Sequence, residues 1–295
     1  MRRIALFLLT NIAVLLLLSI VCRLLGVDRW AYSHGLGGTT GLLIYAAIFG
    51  MGGSFISLAM SKWMAKMSTG ARVITEPQNE GERWLVDTVR RHAQAAGIGM
   101  PEVAIYDAPE MNAFATGMTK NSSLVAVSTG LLQQMDRDQV SAVLGHEIGH
   151  VANGDMVTLT LIQGVLNTLV ILAARVVGRA VDSWLSGGRD SRDGGGIGYF
   201  VSVMVLQLVF GLFASMIVMA FSRWREFRAD TAGANLAGRA SMISALQRLQ
   251  ANHGESTLPK TMAAFGISGH LAQGFQRLFM SHPPLDERIA ALQRG

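Results

Sequence analysis

The stretch Val143-Leu144-Gly145-His146-Glu147-Ile148-Gly149-His150-Val151-Ala152-Asn153-Gly154-Asp155 decides how this chain is read. It contains H-E-x-x-H. Residues four apart on a helix lie on one face, so His146 and His150 can aim two imidazole nitrogens at one Zn²⁺. Glu147 sits one residue on, beside the open coordination position, where a general base can take a proton from water. The flanks favour a helix. Asp136 is placed as an N-cap, and Val140, Val143 and Leu144 recur at helical spacing.

A catalytic zinc site needs three protein ligands and one exchangeable position. The extended pattern H-E-x-x-H-x-x-G-x-x-H requires Gly at 153 and His at 156, but those positions hold Asn153 and Met156. The third ligand is therefore sought on a later helix. Ser222-Arg223-Trp224-Arg225-Glu226-Phe227-Arg228-Ala229-Asp230 places two carboxylates four residues apart. Glu226 can bind the metal while Asp230 accepts the N–H of a ligating histidine. A charged helix at a membrane edge would explain the arginines, but not two carboxylates on one face.

H-E-x-x-H followed by E-x-x-x-D is similar to the gluzincin metallopeptidases. The strings Asn112-Ala113-Phe114-Ala115-Thr116-Gly117, His146-Glu147-Ile148-Gly149-His150 and Arg225-Glu226-Phe227-Arg228-Ala229-Asp230 resemble the HtpX membrane proteases, relatives of the CAAX prenyl endopeptidases. The resemblance covers nearly the whole chain. It implies zinc-dependent endoproteolysis in the bacterial inner membrane, acting on misfolded or damaged membrane proteins in quality control and the stress response. In related prenyl endopeptidases a late histidine is thought to stabilise the oxyanion. His282, in Ser281-His282-Pro283-Pro284, is the candidate here, against the alternative of a surface histidine before a proline-started helix.

Half of the 295 residues are hydrophobic and only 15% are charged, with a mean hydropathy of +0.35. A soluble domain carries more charge. The apolar excess lies in blocks, which points to the lipid bilayer. The net charge of +5 gathers beside those blocks, so it indicates anionic lipid and topology, not nucleic acid. The single cysteine, Cys22, has no intrachain disulfide partner.

Arg2 and Arg3 precede an apolar run from Ile4 to about Leu25, read as a retained anchor in preference to a signal peptide. A second run, from about Gly37 to Met60, is rich in Gly, Ala and Ser, as where helices pack closely in lipid. A helix capped by Asn79 and stopped by Gly97 is expected next, then strands over 102–107 and 123–128. Asn112 to Gly117 lies between these strands. It is either a simple connection or the rim on which an extended peptide is laid as an added strand, with Asn112 a candidate catalytic residue. Asn153-Gly154-Asp155 should break the helix, Asp155 capping the next. Apolar runs follow over 157–177 and 199–221, joined by a linker-like segment at 186–196. Arg239 to Ala251 and Leu285 to Arg294 close the chain as helices. His34, His92, His253 and His270 carry no motif.

These readings predict an α-helical membrane protein, with four transmembrane helices and a cytoplasmic α+β gluzincin-like zinc peptidase domain. Residues 1–61 hold two spans. Residues 62–156 form the first part of the domain, 157–221 two further spans around an outer loop at 179–198, and 222–295 the second part. Arg2, Arg3, Lys62, Lys66, Arg72, Arg223, Arg225 and Arg228 fall on one side of the spans, which predicts cytoplasmic termini and active site. The expected metal set is His146, His150 and Glu226, holding one Zn²⁺ per subunit. Glu147 is the expected base and Asp230 the histidine's partner. Membrane proteins and unfolded polypeptides are the expected substrates. An intramembrane protease is disfavoured, because Asp136, Arg137, Asp138 and Asp155 make the motif helix too polar for lipid. A non-catalytic scaffold would need a closed site with four protein ligands.

Overall fold

The computed structural model describes residues 39–185, 197–252 and 280–294. In chain order the elements are α1 (Thr39–Thr69), β1 (Arg72–Val73), α2 (Glu80–Ala95), β2 (Glu102–Tyr106), β3 (Ala113–Thr119), β4 (Ser122–Ser128), α3 (Thr129–Gln134), α4 (Arg137–Asn153), α5 (Asp155–Leu185), α6 (Ile197–Ala237), α7 (Arg239–Asn252) and α8 (Leu285–Arg294). The chain divides into two compact units, one of residues 1–57 with 160–215, the other of 58–159 with 216–295. All three divisions fall inside helices.

The described residues of the first unit are helical. Gly41–Thr69, Asp155–Trp184 and Gly198–Ala237 are each long and apolar enough to cross a membrane. The apolar run expected to form a span at Ile4–Leu25 lies outside the described residues, as do Cys22, His34, His253, His270 and the 186–196 linker. Helix α5 continues through 179–185, residues expected from the sequence to begin the outer loop. Within this unit the helices meet at small residues. A Cβ on Gly50 would stand 2.4 Å from Thr168 N, and one on Gly164 would stand 2.7 Å from Met51 Sδ. Ala46, Phe49 and Ile171 are buried there, while Ile48, Leu208 and Phe213 point outward and are exposed, as lipid-facing residues are.

The second unit is built on a four-stranded sheet in the order β1-β2-β4-β3. Strands β2 and β4 are parallel; β1 on β2 and β3 on β4 are antiparallel. The period-two alternation of a strand shows in β4. Val125 and Val127 face a core with Leu85, Val89, Leu131, Leu144, Ile148, Met242, Leu246 and Leu292. Leu124 and Ala126 face a smaller cluster with Ala104 and Tyr106, against Ala65, Val73 and Phe114. Both faces of the central strand are thereby covered. The 112–117 segment, expected as a connection or a rim, is mostly strand: β3 forms one edge of the sheet, and α4 packs against it.

Local chemistry sets the helix ends. Asn79 caps α2 by accepting from Glu82 N, and Gly97 takes φ +66° beyond it. Asp136 and Gln139 form a reciprocal capping box at the start of α4. Lys62 and Lys66, at the end of α1, both pair with Glu102 at the start of β2. Burial alone would raise the Glu102 pKa, but hydrogen bonds from the two lysines hold it below its ordinary value. The topology signal at this flank is thus also a structural clamp.

His92 is buried in α2, with Nε2 3.1 Å from both the carbonyl oxygen and the hydroxyl of Ser141 in α4. Burial lowers its pKa against the raising effect of the Ser141 carbonyl. A histidine whose folded pKa lies below its unfolded value binds protons more readily when unfolded. Its contribution to stability is complete above about pH 6.5 and is lost as pH falls through the folded pKa. His92→Gln, which cannot titrate, should therefore lose less thermal stability than wild type between pH 7.5 and 5.5. A difference on the order of 2 °C in the melting shift of the detergent-solubilised protein is expected; identical shifts would show that His92 is not held neutral.

A candidate metal centre between α4 and α6

Helix α4 presents His146 and His150 on one face, with ring centroids 4.7 Å apart and an interplanar angle of 85°. Helix α6 crosses it closely, because the contact surface is almost bare of side chains. Gly145 would bring a Cβ to 3.2 Å from Gly233 Cα, and Gly149 would bring one to 2.6 Å from the Ala232 Cβ. Ala229 is fully buried in the same crossing. This approach lets the short side chain of Glu226 reach both histidines. Glu226 Oε2 lies 3.6 Å from His146 Nε2, and Oε1 lies 3.2 Å from His150 Nε2. One ligand atom from each of the three residues lies within 4.8 Å of the other two.

The other face of each imidazole is anchored. Asp230 Oδ1 is 2.9 Å from His146 Nδ1, and Asp155 Oδ2 is 2.7 Å from His150 Nδ1. A carboxylate accepts and does not donate, so each Nδ1 carries a hydrogen, and in the neutral ring that binds a metal Nε2 is the nitrogen whose lone pair turns inward. Asp155 was expected to cap α5. It reaches His150 because Gly154 ends α4 in the left-handed region, at φ +69°, and turns the chain back. Arg288 of α8 is buried too. Its Nε donates to Asp230 Oδ2 at 2.7 Å, its Nη2 donates to Asp230 Oδ1, and its Nη1 lies 3.4 Å from Glu226 Oε2. The sequence reading did not single out Arg288. Its one signal is position: an arginine on the inward face of a short helix that also buries Ile289 and Leu292.

The donor set fits a divalent cation. Glu226 has 0% exposure, yet no hydrogen bond of usable geometry reaches its Oε1. An anionic oxygen buried without a donor is costly unless a cation shares it. Two imidazole nitrogens and one carboxylate suit zinc among the common ions. The surroundings are negative and favour a cation, here the protons that a bound metal would displace. Burial would lower the His146 pKa, but Asp230 and Glu226 raise it to about 9. His150 is likewise raised by Asp155 and Glu226 against burial. Burial also opposes the charge on Arg288, and Asp230 more than restores it. The charge of Glu147, half-buried beside the pair, is felt by both His150 and Arg288.

His282 stands at the rim. Its Nδ1 is 2.7 Å from Glu226 Oε2, while 59% of its side chain is exposed. Asn112 lies at the entrance to β3, its backbone N–H donating to Ser128 Oγ and its carbonyl accepting from Ser128 N. Among the described residues, His146, His150 and Glu226 form the one group of acidic or histidine side chains close enough to hold a metal.

The profile of peptidase family M48 matches residues 79–295. The protease HtpX of Xanthomonas euvesicatoria pv. vesicatoria (strain 85-10) is 66% identical over 292 residues, which cover 99% of this chain and 97% of that protein. The protease HtpX of Xanthomonas oryzae pv. oryzae (strain MAFF 311018) is 65% identical over the same shares. Among solved structures, the crystal structure of S. mikatae Ste24p superposes with a TM-score of 0.63 at 19% identity, over 94% of this chain and 66% of that one. That likeness extends the shared fold.

If the bare crossing sets the distance from Glu226 to the histidines, one methyl group should disturb it. Gly149→Ala should push α6 outward and lower metal retention by roughly tenfold, with every ligand still present. Gly211→Ala, where an added Cβ meets nothing within 4 Å, should leave retention unchanged. Metal content after dialysis against a weak chelator separates the two; equal content would mean that the crossing does not govern the site.

Proposed function

The chain belongs to peptidase family M48, a metalloprotease with apolar helices suited to a multi-pass membrane protein, and from that premise we propose that it is a zinc endopeptidase of the bacterial inner membrane. It cleaves cytoplasmic segments of misfolded or damaged membrane proteins, as part of quality control under stress. The observation that carries the reading is the convergence of His146, His150 and the wholly buried Glu226 between α4 and α6.

His146 Nε2, His150 Nε2 and the Glu226 carboxylate would hold the zinc ion. When bound there, zinc supplies Lewis acidity toward a peptide carbonyl and a water molecule. Glu147 takes the proton of the attacking water and delivers it to the amide nitrogen as the C–N bond breaks. Asp230 and Asp155 keep the hydrogens on the outer imidazole nitrogens. Arg288 fixes Asp230 and offsets its charge. His282, tethered through Nδ1 to Glu226, presents its outer edge toward the developing oxyanion. The edge strand β3 receives the extended substrate as an added strand, with Asn112 at its entrance.

Helix lengths support a site in water close to the bilayer. Helix α6 has 41 residues, about 60 Å at ~1.5 Å per residue, twice the ~30 Å hydrocarbon thickness. Glu226 lies five residues beyond Phe221, the end of the apolar run. His150 lies five residues before the first residue of α5. Helix α4 is not among the described helices apolar enough to span, and the charge of Asp136, Arg137 and Asp138 at its start suits water. The lysine and arginine asymmetry supports cytoplasmic placement of the termini and of the domain completed by 222–295.

Glu147→Gln should retain zinc and lose at least ~99% of peptidase activity, a loss typical of removing a general base. Glu226→Ala should instead lose the metal. Paired metal analysis and casein cleavage distinguish these outcomes; a Glu147→Gln protein that still cleaves at a tenth of the wild-type rate would overturn the assignment.

A model substrate with one span and an unstructured tail tests location. Cuts mapped by mass spectrometry should fall in the tail when it is cytoplasmic and vanish when it is translocated. Cuts concentrated within the hydrophobic span would refute the placement of the site. Alkaline phosphatase fused after Gly196 should be active, and fused after Gly97 inactive.

A further inference from the structure

A cleft of about 360 Å³ opens where the end of β3 and its turn meet the junction of α4 and α5. Met118 and Lys120 line one side; Val151, Gly154, Met156 and Val157 line the other. The surface is mainly apolar. The stem of Lys120 passes over Gly154, its Cε 3.7 Å from where a Cβ would stand. That placement leaves the charged head free to lie at the rim. The cleft is not the metal centre: none of His146, His150, Glu226 or His282 lines it.

It is continuous with the strand proposed to receive substrate. Gly117, Met118 and Thr119 belong to β3 itself, and Val151 follows His150 directly. Helix α4 packs against β3, and its last turn meets the last residues of that strand. A peptide added to the edge of β3 with its scissile bond at the metal therefore passes the cleft. From the middle of the histidine pair to Gly154 is six residues, about 9 Å along a helix. A strand covers that in two or three residues, at ~3.3 Å each. Antiparallel pairing is the more stable kind per residue. It runs the peptide from the cleft toward the metal, so the residue above the cleft precedes the cleaved bond.

We infer that this cleft is a specificity pocket for a large apolar side chain, borne by the second or third substrate residue before the cleaved bond. The inference rests on the peptidase reading above. The volume lies within the range of ligand pockets and accommodates a leucine, methionine or phenylalanine side chain. Alternate side chains of an added strand point to the same face, so one such position is read while its neighbours are not. The preference suits segments from membrane proteins, which are rich in such residues.

The test is cut-site profiling of the full-length, zinc-loaded protein in detergent, with a proteome-derived peptide library and mass spectrometry. Wild type should enrich Leu, Met and Phe at that one position. Val157→Trp fills the cleft and should reduce that enrichment about fivefold, in favour of Ala, Ser and Gly. Met118→Ala widens it and should raise the share of Phe and Trp. Met118 is about half exposed, so its truncation should leave the protein folded, and this variant decides the matter if Val157→Trp does not fold. Cleavage by Met118→Ala with an unchanged profile would overturn the pocket, and so would a wild-type profile with no preference there. Wild type that cuts no more than Glu147→Gln would instead sink the peptidase reading. Enrichment that appears only when phospholipid is removed would assign the cleft to an acyl chain and overturn the substrate pocket.

Discussion

The close crossing of α4 and α6 is the constraint on which the candidate metal centre depends. A glutamate side chain is short, and Glu226 must reach two imidazoles that stand on another helix. Ordinary helix pairs lie 8–10 Å apart, depending on the residues at the contact. Here Gly145 and Gly149 face Ala229, Ala232 and Gly233, and the room for any further Cβ is gone. Gly233 is enclosed on both sides, its missing Cβ lying 3.1 Å from the Ala142 carbonyl oxygen and 2.8 Å from Met242 Sδ. Each glycine in a helix interior costs on the order of 0.5–1 kcal/mol relative to alanine. That cost falls within the motif helix itself, and it is accepted where backbone proximity decides the geometry.

Around the crossing, polar groups are arranged in series. His146 and His150 each lean on a carboxylate, and one of those carboxylates leans on Arg288. Removing one member of such a buried chain leaves the next charge uncompensated, so the cluster stands or falls together. Arg288 comes from the last helix, which packs on α7 and whose Ile289 and Leu292 enter the main core. The far end of the chain is thereby bound to the motif helix through Asp230 and His146. The sheet contributes differently. It buries β4 on both faces and leaves β3 as an edge, the place where a strand-forming peptide can add.

That His146, His150 and Glu226 could come together as a candidate metal centre was legible in the sequence because they obey a rule of spacing. H-E-x-x-H and E-x-x-x-D each put two groups one helical turn apart, and caps such as Asn79 and Asp136 use local hydrogen bonds that spacing also predicts. What escaped lay outside such rules. Asp155 reaches His150 around a left-handed Gly154, where helical periodicity no longer places side chains. Arg288 meets Asp230 only through tertiary packing. Strand β3 was hard to recognise because an edge strand need not alternate, and its first four residues are half-buried in a run. Helix α6 was expected as an apolar run ending near Phe221. It continues unbroken to Ala237, because charge ends a hydrophobic segment without ending a helix.

That continuity links the apolar segment to the chemistry. On α6 the residues Glu226, Ala229, Asp230 and Gly233 share one face, at intervals of three and four. Glu226, the carboxylate that orients His146 and the small residues that permit the approach are therefore one surface. A helix turns about 100° per residue, so a slip of one residue in α6 would carry Glu226 away from the histidines and set larger side chains against Gly149. Helix α4, by contrast, is separated from α5 by the Gly154 break, and that break is what lets Asp155 turn back to His150. Helix α6 places its groups by its continuity and α4 by its interruption. In the one case the side chain is placed by helical periodicity, in the other by a turn that reverses the chain.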